Sequence, residues 1–119
     1  MREILKKHHI SFKNAFSGIF WAIRTQPNFR VHFILSVFVL CLALYFHITR
    51  LETLIIAFTI VLGLVAEMIN TSLEAMTDLI TKEWRQEAKI AKDVSAGMML
   101  TVAIGATIIA FIIFWPYFL

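Results

Sequence analysis

Cysteine occurs once, proline twice and glycine four times in 119 residues. The lone Cys41 excludes a disulfide within the chain, and within an apolar run it reads as a small hydrophobe. None of the four glycines precedes a lysine, so the glycine-rich loop that cradles phosphates in soluble nucleotide-binding folds is missing, as are the signatures of soluble protein kinases. No His/Cys cluster has the spacing of a zinc site, and the adjacent His8 and His9 would diverge on a helix. Charge is absent from 31–49, from 53–66 and from 94–119. Runs of that length exclude a small soluble domain.

What remains is a chain that is 60% hydrophobic, with a mean hydropathy of +0.80. The first and last charge-free runs approach or exceed a bilayer's hydrocarbon thickness as helices, and the middle one continues through a polar stretch. The expected fold is an all-α integral membrane protein with three transmembrane helices over 31–48, 51–82 and 90–118. Lys and Arg crowd 1–30 and 82–92, whereas the turn near 50 holds only Arg50. By the positive-inside rule the N-terminus is cytoplasmic and the C-terminus outside, in a cytoplasmic (inner) membrane. The basic residues flank the spans and form no separate domain, which argues against nucleic acid. No cleavage site follows the first apolar run, so it reads as a span and not as a signal peptide.

Residues 1–9 read as a solvated tail. From Ser11, taken as a cap, Phe12, Phe16, Ile19, Phe20 and Ile23 recur at helical steps, which predicts an amphipathic interfacial helix over 10–25 with Trp21 near head-group level. Pro27 breaks that helix. His32 reads as a packed, hydrogen-bonded histidine, and His47 as an interface residue at the opposite surface. Gly97 and Gly105, with several alanines, give the last helix small faces for close packing. Trp115 and Tyr117 belong to an outer aromatic belt.

One stretch departs from the apolar pattern. At 100° per residue Glu67, Asn70, Glu74 and Asp78 fall within roughly 80° of helix surface. The helix over 51–82 would be roughly 48 Å long, beyond a core of about 30 Å, so this stripe straddles the cytoplasmic boundary. Hydrogen-bonded glue between helices is the simpler reading. Two close carboxylates, however, repel unless a cation lies between them, and ionisable groups at this depth point to function. Carboxylates and an amide oxygen suit Mg²⁺ carried with phosphates, nearby Lys and Arg suit phosphate itself, and a Glu at the lipid edge suits a general base.

The pattern Glu67-x-x-Asn70-Thr-x-x-Glu74-x-x-x-Asp78, followed by Ala91-Lys92-Asp93 and preceded by Asn28-Phe29-Arg30, resembles the prokaryotic diacylglycerol kinase family over nearly the whole chain. Ala88-Lys-Ile-Ala-Lys-Asp93-Val-Ser-Ala-Gly97, with His32 after Arg30, is more similar to its undecaprenol kinase branch. The resemblance implies a homotrimer with sites shared between neighbours, transferring the γ-phosphate of MgATP to a lipid alcohol. It implies Glu67 as the base at the lipid hydroxyl, Glu74 as a metal ligand, and Asn70 at nucleotide or metal. Lys92, Asp93 and Arg30 would lie at ATP, and Asp78 matches a retained acid. Gln26 stands where the family has a metal-binding Glu and offers only a neutral oxygen there. Undecaprenol is the favoured acceptor and diacylglycerol the alternative. A small oligomeric transporter or channel using the same acids is the rival from another class, and a non-catalytic scaffold is the third reading.

Overall fold

The computed structural model describes residues 1–119 as four α-helices and a terminal 3-10 turn, without strands. The helices are α1 (Arg2–Thr25), α2 (Pro27–Tyr45), α3 (Arg50–Ile80) and α4 (Gln86–Phe114), with the 3-10 turn at Trp115–Phe118. Three of them, α2, α3 and α4 with its 3-10 extension, are long and apolar enough to cross a membrane. α3 lies in the middle, packed most extensively against α4 and less so against α2, while α1 contacts chiefly α2.

α1 starts at Arg2, so 1–9 are helix and not a tail. Ser11 is no cap: its hydroxyl donates to the Lys7 carbonyl one turn back, a bond available only inside a helix. Nothing in 2–10 breaks a helix, and Glu3 in the first turn and Arg24 in the last both complement the helix dipole. Its apolar face, with Leu5, Phe12, Phe16 and Phe20, is exposed within the chain, as suits a helix lying in a membrane interface.

Gln26 is extended (φ −102°, ψ 107°) and Pro27 occupies the first turn of α2, where its missing N–H costs nothing. α2 therefore begins at Pro27, ahead of Arg30, and ends at Tyr45. The Ile48 N–H bonds the Ala43 carbonyl and the His47 N–H the Leu44 carbonyl, a Schellman pairing that puts His47 at φ 51°, a position usually given to glycine. Thr49 then caps α3 in a capping box with Glu52. The Glu52 carboxylate accepts from the Thr49 N–H and hydroxyl, each at 2.8 Å, and from the Tyr117 hydroxyl at 2.7 Å. The C-terminal turn is thereby tied to the α2–α3 connection. Phe46 stacks edge-on with Phe118 and tilts against Tyr117 and Phe114. Beneath lies the apolar core of Ala43, Ile56, Ile113 and Phe114.

At the other end α3 stops where Thr81 is extended, and α4 starts at Gln86, ahead of position 90, because the chain returns to helix directly after the extended Arg85. The molecule is a slab 22 Å thick, about two helix diameters. Only 11 of 119 residues are buried, so most apolar side chains must meet lipid or another chain. The small faces at Gly97 and Gly105 are unused within the chain: a Cβ added at either meets nothing within 4 Å.

His47→Gly is expected to raise stability by about 0.5–1 kcal/mol, since glycine relieves the left-handed strain at some entropic cost. Thermal unfolding in detergent reads this, and a lowered midpoint would contradict it. Tyr117→Phe is expected to lower the same midpoint, because Glu52 loses its bond to the C-terminal turn.

Candidate active site at the polar end of the α3–α4 seam

Because α3 and α4 are antiparallel and in close register, the polar stripe of α3 faces α4 one turn at a time. Asn70 meets Ser95, whose hydroxyl donates to the Asn70 side-chain oxygen at 2.6 Å. Both are buried, at 6% and 2% exposure. With its carbonyl oxygen engaged, the Asn70 amide keeps its two N–H donors for another partner. Two turns further toward water, Asp78 accepts from the Lys92 ammonium at 2.6 Å. The order along the seam is Glu67, Asn70 with Ser95, Glu74, then Asp78 with Lys92.

Glu67 is 3% exposed, yet none of the chain's hydrogen bonds or ion pairs reaches its carboxylate. No buried side-chain oxygen of the chain lacks a partner, so the Glu67 carboxylate spends the residue's small remaining exposure on an opening where a ligand could meet it. From Arg50 to Glu67 is about 25 Å along the helix, which puts Glu67 near the far edge of a hydrocarbon core of about 30 Å. Its carboxylate borders a cleft of about 350 Å³ that also holds Asn28 and His32 from α2, Asn70 and Glu74 from α3, and Ala96 and Met99 from α4.

A second cleft, of about 460 Å³, opens on the water side. Asp78, Lys92, Asp93, Trp84 and Arg85 line it. Lys89 pairs with Asp93 one turn away, and Arg85 with Glu83 at 3.4 Å. These pairs are exposed and contribute little to stability. They hold basic groups close together while leaving them free to exchange a carboxylate for a phosphate.

Of the residues singled out from sequence, Glu67, Asn70 and Glu74 share the first cleft and Lys92 and Asp93 the second. Arg30 is exposed beside the buried Phe29 and borders neither. Gln26 reaches only the Thr25 hydroxyl, at 3.3 Å, and borders neither cleft. His32 departs from its expected packing, since its carbonyl accepts the Ser36 hydroxyl while its imidazole bonds to nothing in the chain. Ser95 and Asn28 lie within stretches that carry the family resemblance, but sequence reasoning gave neither a role. The one available signal for Ser95 was its position three residues after Lys92, on the same face of α4.

The donor set is one of hard oxygens: two carboxylates, Glu67 and Glu74, with the Asn70 amide between them. No three His, Cys, Asp or Glu side chains of the chain gather as a complete metal cage. That suits Mg²⁺, which keeps waters and binds through one or two carboxylates together with substrate phosphates.

Ser95→Ala should leave the Asn70 oxygen without its partner and destabilise the chain by roughly 1–3 kcal/mol. A thermal midpoint in detergent equal to that of the parent would show the bond to be net neutral.

Residues 13–114 match the family described as prokaryotic diacylglycerol kinase. A diacylglycerol kinase of Synechocystis sp. is 38% identical over 101 residues, which cover 84% of this chain. The chain spans 58% of that relative's length. An undecaprenol kinase of Bacillus subtilis is 34% identical over 116 residues, covering 97% of this chain and 94% of the relative. With three spanning helices and a match over most of its length, the chain belongs to the prokaryotic diacylglycerol kinase family, a family of membrane lipid kinases.

Proposed function

We propose that the chain transfers the γ-phosphate of ATP to the hydroxyl of undecaprenol at the cytoplasmic face of the inner membrane. The observation that carries this reading is Glu67, a largely buried residue whose carboxylate has no hydrogen-bond partner in the chain and borders a cleft at the lipid edge of a seam that leads through Asn70 and Glu74 to Lys92. A transport pathway would want its acids near mid-bilayer, whereas here they crowd one boundary together with basic groups.

In this reading Glu67 takes the proton from the lipid hydroxyl as the hydroxyl oxygen forms its bond to the γ-phosphorus. The bond from that phosphorus to the bridging oxygen breaks, and ADP leaves with the electron pair. The Asn70 amide, its oxygen held by Ser95, donates to a phosphate oxygen. Lys92 exchanges Asp78 for phosphate. Asp93 lies toward the nucleotide, whereas Arg30 borders neither cleft and would reach a nucleotide only from its exposed place at the start of α2. Glu74 would hold Mg²⁺, which supplies charge neutralisation at the phosphates when bound. Gln26 adds no charge to that set.

Undecaprenol is preferred over diacylglycerol because the resemblance to the undecaprenol kinase runs nearly end to end in both chains. The open small-residue face at Gly97 and Gly105, with so few residues buried in one chain, supports assembly with further copies, and we infer a homotrimer.

Labelled phosphate from ATP, offered with Mg²⁺ to undecaprenol and to diacylglycerol in mixed micelles, tests the reading. Transfer to undecaprenol is expected, falling at least a hundredfold in Glu67→Gln. No labelled lipid from the parent protein would sink the kinase reading, and label on diacylglycerol alone would reverse the choice of substrate.

A further inference from the structure

A third cleft, of about 280 Å³, runs between α2, α3 and α4 toward the middle of the membrane. It reaches from Gly63 and Leu64 down to Ile56 on α3, and along α4 from Ala103 to Ala110. His32 and Ala103 border both this cleft and the one that holds Glu67, so the two adjoin there. From Glu67 to Ile56 the combined groove follows α3 for about 16 Å.

Its polar lining is nearly spent. The hydroxyls of Ser36, Thr59 and Thr107 donate to the carbonyls of His32, Ile55 and Ala103, each one turn back on its own helix, at 2.7–2.8 Å. The His32 imidazole alone keeps both nitrogens open, and it stands where the apolar groove meets the Glu67 cleft. An imidazole can donate at one nitrogen and accept at the other, so it can hold a hydroxyl in either sense. A groove near the lower end of ligand-pocket volumes, without further donors, suits one hydrocarbon chain and leaves the ester carbonyls of a two-chain lipid unsatisfied.

We propose that His32 positions the acceptor end of the lipid, hydrogen-bonding its hydroxyl beside Glu67 while the single chain behind that hydroxyl lies in the groove between α2, α3 and α4. The proposal rests on the lipid-kinase reading for the identity of the acceptor, but it concerns a binding event that can be measured without turnover. His32 is a positioning residue. Removing it weakens the hold on the lipid and leaves the nucleotide end of the seam untouched.

The test uses the full chain in detergent, with undecaprenol as probe and His32→Leu, His32→Asn and Gly63→Leu as variants. A Cβ at Gly63 meets nothing within 4 Å, and the rest of a leucine side chain would extend into the groove that Gly63 lines. In the parent protein and in Glu67→Gln, undecaprenol should raise the thermal midpoint; in His32→Leu and Gly63→Leu that rise should be lost. In turnover, His32→Leu should raise KM for undecaprenol about tenfold, the worth of one hydrogen bond. KM for ATP should hold constant, and His32→Asn should recover most of the loss. An undiminished midpoint rise in both His32→Leu and Gly63→Leu would overturn the proposal, as would equal changes in the KM of lipid and of ATP. A parent protein stabilised by undecaprenol that phosphorylates no lipid would refute the kinase reading and leave the binding site standing. A parent protein that phosphorylates undecaprenol, with His32→Leu unchanged in lipid KM, would refute the binding site alone.

Discussion

At 31 residues α3 is about 46 Å long and cannot fit within a hydrocarbon layer of about 30 Å. Its capped end at Thr49 and Glu52 is anchored by the aromatic cluster of Phe46, Phe114, Tyr117 and Phe118. The surplus must therefore emerge at the other surface. That surplus carries Glu67, Asn70, Glu74 and Asp78, and an antiparallel α4 brings Ser95 and Lys92 alongside. The place where lipid and water meet is set by helix length, and the site is built on it.

The two ends of the molecule are held by different forces. The end at the α2–α3 connection is closed by apolar burial and by the threefold-accepting Glu52. The end that bears the polar stripe has little apolar core, and its one buried polar contact is Asn70 with Ser95. Hydrophobic association gains nothing between helices that already lie in lipid, so side-chain hydrogen bonds take a larger share there. The proposed site, which would admit both a lipid and a nucleotide, lies at the less tightly closed end.

Much of this was legible beforehand. The three spans follow from charge-free runs, because every backbone polar group in lipid has to be satisfied within its own helix. The break at Gln26-Pro27 follows from proline's ring, and the polar stripe from helical periodicity alone. The start of α1 was misread because Ser11 is a good cap by type, yet its hydroxyl found a carbonyl inside the helix. The α2 terminus at Tyr45 was hidden because His47, two residues on, holds a glycine's conformation.

Sequence by itself determined which elements form and which residues share a face, since these depend on neighbours within one or two turns. Only the tertiary structure decided which faces meet. It paired Asn70 with Ser95 and Asp78 with Lys92, it left Glu67 without a partner, and it set Arg30 and Gln26 apart from both clefts. It also placed His32 where the Glu67 cleft joins an apolar groove. The register between antiparallel helices arises from side chains far apart along the chain, and no local pattern encodes it.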